Sequence, residues 1–445
     1  MIVPRSRLLF WVAAIVLPFA LLGAVSQAAA GWSLVFIGAL FLVAIADAVA
    51  AKRNLVGIGV DLPAVARMSK NRPAKLELRI HNERHLQKYL RVALALPREI
   101  KMESEEMDAL LPAESEWSRL VCACTPIKRG KYQLNSVFIE GGSPLGFWSV
   151  RKMLPARTEI RVYPNLLDER KNLAALFLNR GAFGVHAQRQ VGKGRDFEKL
   201  REYVPGDGYD EIHWKATARR GKPITKVFQI EKTQEVYVIV DASRLSARNA
   251  NQDDESSGSV LERFVTAALV LGLAAEQQGD FFGLVIFSDK VEKFVRAKNG
   301  QSHYSACRDA LYTLEPKIVT PDFDELGTFL RLRLRRRALL IVLTALDDPA
   351  LAESFVRSVE LIRRQHLVLV NMIQPPGIEP LFAHDDVVSA DDMYDRLGGH
   401  LRWRSLRELQ KNLQRRGVQF ALPENERLTS EIVAQYLKVK QRQLL

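Results

Sequence analysis

Residues 235–245 read EVYVIVDASRL, an apolar run followed by an aspartate and a serine. The β-branched side chains at residues 236–240 predict a strand that is buried on both faces. The segment Asp241-Ala242-Ser243 then falls where this strand ends. In an open α/β sheet, ligands bind beyond the carboxyl ends of the strands, so we expect any functional loop of this region here.

Apolar runs alternate with helical patterns over the residues that follow. Further strands are predicted at residues 281–287, 338–343, 366–373 and 418–422, and helices at residues 260–278, 304–314, 351–364 and up to residue 443. Strands separated by helices are typical of a parallel sheet that is covered on both faces. We therefore predict a Rossmann-like domain with a mainly parallel sheet over residues 233–445.

Residues 54–165 have a strand-like pattern that is broken by turn residues. Strands are predicted at residues 75–81, 90–96, 119–124, 132–138 and 159–163. This spacing of short strands predicts a small β-sandwich. Cys122 and Cys124 lie two residues apart in one of these strands, so we expect both side chains in the core. The chain has only three cysteines, which argues against a disulfide framework and fits a reducing compartment.

Two uncharged apolar stretches, residues 8–25 and 28–46, open the chain. At about 1.5 Å per residue, each helix would be roughly 27–28 Å long, close to the hydrocarbon thickness of a bilayer. Only two residues separate the stretches. The pattern predicts a transmembrane helical hairpin over residues 1–53.

Basic residues flank the hairpin and predict its orientation. Arg5 and Arg7 precede the first stretch, and Lys52 and Arg53 follow the second. The positive-inside rule then places both ends and all later residues in the cytoplasm, on a multi-pass protein of the inner membrane. The alternative is that the first stretch is a cleaved signal peptide, with small residues at 28–30 as the cleavage site. The second stretch would still leave the body of the protein in the cytoplasm.

The formal net charge of +13 allows two kinds of partner. Basic side chains of a tethered protein can contact the anionic lipids of the inner leaflet, or they can bind nucleic acid. The sequence has no aromatic RNA-binding motif and no zinc-finger spacing. We therefore expect membrane lipid, and no nucleic acid, as a partner.

Residues 166–232 contain two polar blocks that have two interpretations. The first block, GKGRDFEKLREY at residues 192–203, leads into Pro205-Gly206-Asp207, and the second is IHWKATARRG at residues 212–221. In one interpretation, the glycines at 192 and 194 cradle a phosphate, which Lys215, Arg219 and Arg220 clamp. A lone G-x-G is a weak signal, and the P-loop pattern is absent.

The second interpretation of these blocks is an internal brace. Trp214 and Tyr203 would pack on the sheet, and Arg201 would pair with Asp207. The segment would then be locked to the α/β domain. We favour the brace over the phosphate site, and a surface that grips a protein partner is compatible with both.

The same residues carry a family resemblance. Asp241-Ala242-Ser243, together with GLVIFS at residues 283–288, resembles a von Willebrand factor A domain. The polar blocks resemble the signature of the DUF58 family. The matching residues are Leu200, Arg201, Glu202, Tyr203, Pro205, Gly206, Asp207, Ile212, Trp214, Lys215, Ala216, Thr217, Ala218 and Arg219.

Members of the DUF58 family carry an A-type domain behind a membrane hairpin and a β-rich segment, so the resemblance covers essentially the whole chain. It implies a hairpin at 1–53, a sandwich at 54–165, a signature segment at 166–232 and an A-like domain at 233–445. The motif residues that we expect to matter for structure or interaction are Arg201, Tyr203, Gly206, Asp207, Trp214, Lys215 and Arg219.

The resemblance does not imply a working metal site. The metal-ion-dependent adhesion site of A domains needs Asp-x-Ser-x-Ser, a threonine and a later Thr-Asp. Leu245 stands where the second serine belongs, and Ala345 follows Thr344. Asp241 and Ser243 remain as ligands of a degenerate site, for which we expect weak Mg²⁺ binding or none. In the alternative, both side chains cap neighbouring loops.

Two residues could complete that degenerate site. Asp347 and Asp348 follow the strand predicted at 338–343, and either could turn toward a cation. No other cofactor is expected.

The resemblance implies a membrane-tethered, non-enzymatic interaction and assembly module that works with a MoxR-type AAA+ ATPase. A second hypothesis is an inner-leaflet hydrolase or transferase acting on an envelope precursor. Basic groups at residues 215–226 would bind its phosphate, and Asp207 or Asp241 would act as the base, although no nucleophile–base pair is visible. A third hypothesis is an electrostatic binder of membrane or nucleic acid, which only the net charge supports.

Overall fold

The computed structural model describes residues 1–25, 27–83, 88–167, 191–205, 207–229, 234–250, 258–381, 383 and 389–442. Gly206, one of the predicted motif residues, lies outside the described residues. The chain divides into two compact units, Met1–Asn165 and Leu166–Leu445.

The first unit begins with a short strand and an apolar helical hairpin. The elements are β1 (Ile2–Pro4), α1 (Ser6–Trp11), a π-helical turn (Val12–Val16), α2 (Leu17–Val25) and α3 (Gln27–Lys52). The helices over Ser6–Val25 and Ala30–Lys52 are long and apolar enough to cross a membrane. Phe19 and Phe36 stack with ring centroids 4.7 Å apart, so the two helices pack on each other.

The rest of the first unit is a β-sandwich. Its strands are β2 (Ile58–Asp61), β3 (Val65–Ser69), β4 (Ala74–Asn82), β5 (Lys88–Leu94), β6 (Ile100–Met102), β7 (Met107–Leu111), β8 (Trp117–Pro126), β9 (Gly130–Gly142) and β10 (Trp148–Tyr163). One sheet has the order β1-β10-β9-β5-β7, with β3 pairing with β10, and the other has the order β2-β4-β8-β6. The predicted β-rich segment is thus present as two sheets.

Alternation along the strands builds the core between the two sheets. In β4, Leu76, Leu78 and Ile80 are buried while the residues between them are exposed. They share one hydrophobic core with residues of the facing sheet such as Leu134 and Ile139. Cys122 and Cys124 were predicted to face this core, and both are buried in the structure. Burial raises the pKa of the Cys124 thiol to about 11.

The second unit opens with an antiparallel hairpin, β11 (Val191–Glu202) and β12 (Ile224–Gln229), which encloses the short helix α4 (Trp214–Arg220). The α/β elements follow: β13 (Glu235–Asp241), α5 (Val260–Gln277), β14 (Phe281–Phe287), β15 (Val291–Lys298), α6 (Gln301–Leu311), α7 (Phe323–Arg333), β16 (Leu339–Leu343), α8 (Pro349–Ile362), β17 (Leu367–Asn371), α9 (Ala390–Arg415), β18 (Gln419–Ala421) and α10 (Leu428–Gln441).

These strands form one sheet in the order β15-β14-β13-β16-β17-β18. Every pair is parallel except β14 with the edge strand β15. Val238 and Ile239 of β13 belong to two different cores, one on each face of the sheet. The prediction of a mainly parallel, Rossmann-like sheet is therefore confirmed. Its topology brings the ends of β13, β14 and β16 together, because these three strands are neighbours.

Candidate functional site

Asp241 is the last residue of β13, at the carboxyl edge of the sheet, and its side chain is only 1% exposed. One carboxylate oxygen, Oδ1, accepts a hydrogen bond from Ser243 N at 2.8 Å. The other, Oδ2, accepts one from Thr344 Oγ1 at 2.6 Å. Burial raises the pKa of Asp241, while these hydrogen bonds act in the opposite direction. Both oxygens therefore already have donors within the protein.

Ser243 is also fully buried and acts as a local cap. Its hydroxyl oxygen accepts a hydrogen bond from Leu245 N at 3.3 Å, at the start of a 3₁₀ turn. Leu245 stands where A domains have their second serine ligand, and only 2% of it is exposed. An apolar side chain thus fills the place of an oxygen ligand. Asp241 and Ser243 make the local hydrogen bonds that the loop-capping alternative predicts.

Asp347 and Asp348 make contacts of their own. Asp347 Oδ2 lies 2.5 Å from Arg248 Nη1. Asp348 caps the N-terminus of α8 by accepting a hydrogen bond from Ala350 N at 2.9 Å. Among the described residues, no group of three His, Cys, Asp or Glu side chains is placed to hold a metal ion. Asp347 and Asp348 therefore both have partners within the protein, and the expectation of weak Mg²⁺ binding or none at Asp241 and Ser243 stays a prediction.

Sequence reasoning did not identify two of these partners. Thr344 was recognised only as a remnant of the Thr-Asp pair. In the structure its hydroxyl donates a hydrogen bond to Asp241, which the sequence did not predict. The pairing of Arg248 with Asp347 could not be predicted from the sequence, because the two residues are 99 positions apart.

An ion pair joins the first polar block of the signature segment to the loop that follows it. Arg201 Nη2 in β11 lies 2.6 Å from Asp207 Oδ1, as predicted. Asp207 Oδ2 accepts a hydrogen bond from Val204 N at 3.1 Å. The Val204 N–H and the Arg201 guanidinium hold the pKa of Asp207 below its ordinary value. The pair ties the loop to its own hairpin.

Further hydrogen bonds fold the second polar block onto the hairpin. His213 Nδ1 accepts from Ala216 N at 3.0 Å and so caps α4. Gly221 ends α4 in the left-handed region, with φ of 67°. Thr217 Oγ1 accepts from Ile224 N at 3.0 Å, which ties α4 to β12. Ile212 is buried beneath this arrangement. The segment is thus a braced unit.

The predicted packing of Trp214 on the sheet is wrong. Trp214 is the first residue of α4 and is 68% exposed, so its ring is not packed on the sheet. Tyr209 is 78% exposed and Val204 is 52% exposed on the same segment. Tyr203 is half-buried. The segment is therefore braced within its own hairpin, while its predicted lock to the α/β domain stays a prediction.

We call the exposed side chains of this segment, Val204, Tyr209, Trp214, Lys215 and Arg219, the aromatic surface. Lys215 and Arg219 lie four residues apart on α4, so their side chains share one helix face. Two large aromatic side chains and two basic side chains of this one segment are thus exposed to solvent.

The phosphate-cradle interpretation does not match the backbone. Residues 192 and 194 lie inside strand β11, not in a turn that leads into a helix. Phosphate cradles use glycines ahead of a helix N-terminus, where backbone N–H groups converge. The geometry of the glycines therefore gives this interpretation no support.

Comparison with known proteins confirms the family resemblance. Residues 199–379 match the family described as "Protein of unknown function DUF58". This match runs from the signature segment into the α/β sheet. None of the curated proteins matches the chain.

Several solved structures are similar to part of the chain. An aerotolerance-related membrane protein from Bacteroides fragilis is 15% identical, with a TM-score of 0.30, covering 46% of this chain and 98% of that one. BatB from Bacteroides thetaiotaomicron is 15% identical, with a TM-score of 0.29, covering 47% and 99%. Proximal thread matrix protein 1 of the mussel byssus is 13% identical, with a TM-score of 0.28, covering 46% and 45%.

Proposed function

We propose that this chain is a membrane-tethered, non-enzymatic interaction module of the cytoplasmic face of the inner membrane. Its signature segment would dock a protein partner, and the A-like domain would be the scaffold that carries it. The observation that supports this most is the aromatic surface, where Trp214 and Tyr209 point to solvent from a braced backbone. The partner that the family resemblance suggests is a MoxR-type AAA+ ATPase.

The proposed membrane topology is supported by strand β1. Residues Ile2–Pro4 pair antiparallel with β10, so the chain before the first apolar helix joins the same sheet as the chain after the second. Both ends of the hairpin then lie on one side of the membrane. Cleavage of the first helix as a signal peptide would remove β1 from this sheet. The basic residues at both ends favour the cytoplasmic side.

The helices of the hairpin are also unlike the core helices of a soluble protein. Leu21, Phe41 and Leu42 are 66%, 69% and 71% exposed. Exposure of these side chains to water would be unfavourable by roughly 25 cal/mol for each Å² of apolar area. Lipid would cover these side chains at no such cost.

The composition of the aromatic surface supports a docking role. Trp, Tyr and Arg are the residues most enriched among those that dominate binding energy at interfaces. Exposed aromatic side chains have no stabilising role in the free protein, whereas a partner could bury them. The basic side chains Lys215 and Arg219 would favour an acidic rim around the partner's apolar pocket.

The enzyme hypothesis has weaker support. Asp207 is paired with Arg201, and Asp241 is buried with both oxygens bonded, so neither carboxylate is presented to a substrate. The purely electrostatic hypothesis would not require exposed aromatic rings. We therefore place the adaptor role first.

Affinity purification of the full chain from gently solubilised membranes tests the proposal. The unmodified chain should recover an AAA+ ATPase in near-stoichiometric amount, and Trp214→Ala should lower that recovery about tenfold or more, as expected for a dominant interface residue. Tyr394→Ala is the matched control, because Tyr394 is 72% exposed on α9, outside the signature segment. Equal recovery with both variants would remove the aromatic surface as the docking site. Recovery of salt-sensitive lipid or nucleic acid alone would favour the electrostatic hypothesis, and the absence of a dominant partner would favour the enzyme.

A further inference from the structure

The loop between β9 and β10 is bonded to the apolar helix α3. The carboxylate of Asp47 accepts hydrogen bonds from Ser143 Oγ at 2.6 Å and from Leu145 N at 3.1 Å. The indole N–H of Trp148 donates to the Ala44 carbonyl at 2.8 Å. Phe147 packs with Leu8 of the first helix. The loop therefore has contacts with both helices of the hairpin.

These contacts lie inside the apolar part of α3. Asp47 precedes Lys52 by five residues, which corresponds to about 7.5 Å along a helix. The headgroup layer on each side of the hydrocarbon core is roughly 5–7 Å thick. With Lys52 in the headgroup layer, Asp47 lies near the hydrocarbon boundary. Leu145 is bonded directly to Asp47, so the loop reaches the same depth.

The loop itself has a composition that suits this depth. Residues 141–150, GGSPLGFWSV, contain no charged side chain, although Glu140 and Arg151 flank them. Gly146 N donates to Ser143 O at 3.0 Å, which closes a turn with proline at its second position. The turn leaves Leu145 52% exposed at its tip.

Asp47 is a carboxyl group within the apolar helix α3. A carboxyl group in an apolar membrane span is costly, and such groups normally have a partner and a role. In the structure it is 3% exposed, and both of its oxygens accept hydrogen bonds from the loop. Asp47 therefore acts as a positioning residue that holds the loop against the hairpin.

We propose that the loop at residues 143–147 lies in the lipid headgroup layer and inserts Leu145 at the hydrocarbon boundary, so that the sandwich sits directly on the bilayer. This inference rests on the proposed membrane-spanning hairpin. The occupant of the loop surface is phospholipid, since the loop continues the apolar surface of the helices. Trp148 would sit at the interface, where amphipathic aromatic side chains are enriched.

Depth-dependent fluorescence quenching of the full chain in vesicles tests this inference. Leu145→Cys would carry an environment-sensitive label in vesicles of phosphatidylethanolamine and phosphatidylglycerol with spin-labelled lipids. The three native cysteines are buried and would react slowly with the label. Quenchers near the headgroup should reduce the Leu145 signal at least about twofold, as expected for an interfacial position.

Two matched positions calibrate the measurement. The first is Ile127→Cys. Ile127 is 38% exposed near the start of β9, the strand whose other end leads into the loop. The length of this strand places Ile127 roughly 40 Å from the loop, so its label should not be quenched. Phe41→Cys lies inside α3 and should be quenched most by deep quenchers.

The outcomes separate the two proposals. If Phe41 is quenched and Leu145 is quenched no more than Ile127, the loop does not insert, while the membrane-spanning hairpin stands. If none of the three labels is quenched, the hairpin proposal fails and the loop proposal fails with it. Adding Asp47→Ala should reduce quenching at Leu145 and leave it unchanged at Phe41. Unchanged quenching at Leu145 in that variant would show that Asp47 does not position the loop.

Discussion

At the residue scale, the carboxyl edge of the parallel sheet at Asp241 is held by hydrogen bonds. The carboxylate of Asp241 accepts hydrogen bonds from Ser243 N and from the Thr344 hydroxyl, and Leu245 on the same loop is buried. A hard cation binds through carboxylate and hydroxyl oxygens directly, so it would have to compete with these protein donors. An Mg²⁺ ion would also lack the second serine oxygen.

Replacement of Asp241 by asparagine should therefore preserve or increase stability near neutral pH. Burial raises the pKa of this carboxyl above its ordinary value of 3.8. As pH rises above 3.8, the unfolded state ionises before the folded state, so the unmodified chain loses stability until the pH passes the raised pKa. Asp241→Asn lacks this loss, so its advantage should grow as the pH rises above the ordinary pKa of 3.8. Thermal melts across that range provide the measurement.

The same melts, repeated with Mg²⁺, serve as the control. We expect no shift in Tm for either protein, because a ligand stabilises a fold only when its concentration approaches or exceeds its Kd. A Tm that rises with Mg²⁺ in the unmodified chain, but not in Asp241→Asn, would show a functional cation site.

Trp214→Ala should have little effect on folding. Because the indole is 68% exposed, we expect a change within about 0.5 kcal/mol in the free energy of unfolding, as for most surface substitutions. Ile212→Ala is the contrasting variant, because Ile212 is buried and its truncation should cost about 2–5 kcal/mol. Denaturant unfolding of both variants would show this difference. A large loss with Trp214→Ala would restore its role as a packing anchor.

At the element scale, the strength of the hydrophobic pattern determined what the sequence could predict. The strand Phe281–Phe287 has the predicted bounds, and the helix Val260–Gln277 differs by one residue, because both are strongly apolar and buried. The edge strand Val291–Lys298 was not predicted, since its charged residues break any long apolar run. The long helix Ala390–Arg415 was missed for a similar reason, because it is mostly polar and exposed.

The candidate site was predictable only where the contacts are local. Arg201 and Asp207 are six residues apart, and their pairing could be predicted from charge alone. The exposure of Trp214 could not be predicted, because it depends on which face of α4 lies against β12. Contacts such as Asp47 with Ser143 join residues 96 positions apart and require the whole fold.

The hairpin elements give a testable topology. Cysteine introduced at Val25, which is 86% exposed at the end of α2, should react with a membrane-impermeant maleimide added outside intact cells stripped of outer membrane. Cysteine at Tyr394 in α9 should react only after the inner membrane is opened. This expectation follows from the basic residues that flank the hairpin, which the positive-inside rule places in the cytoplasm. The reverse labelling pattern would place the soluble units outside the cytoplasm.

At the scale of the whole molecule, the anchor and the sandwich form one folding unit. Ala51 and Leu55 at the end of the hairpin are part of the sandwich core. The strand β1 completes a sheet, and Trp148 bonds to Ala44. The second unit has its own cores on the two faces of its sheet. The proposed docking surface and the proposed membrane contact thus belong to different units.

Truncations should separate these two properties. A chain that begins at residue 54 lacks β1, Ala51 and the helix contacts of the loop, so it should melt lower or aggregate. A chain that begins at residue 166 keeps the complete second unit and should be soluble, fold cooperatively and still bind the AAA+ ATPase. Because the Asp241 edge is closed by protein donors, that binding should persist in EDTA. The contrary outcome is that EDTA abolishes binding, that Mg²⁺ restores it, and that Asp241→Asn does not bind under either condition. That result would assign the interaction to a metal-dependent edge of the sheet in place of the aromatic surface.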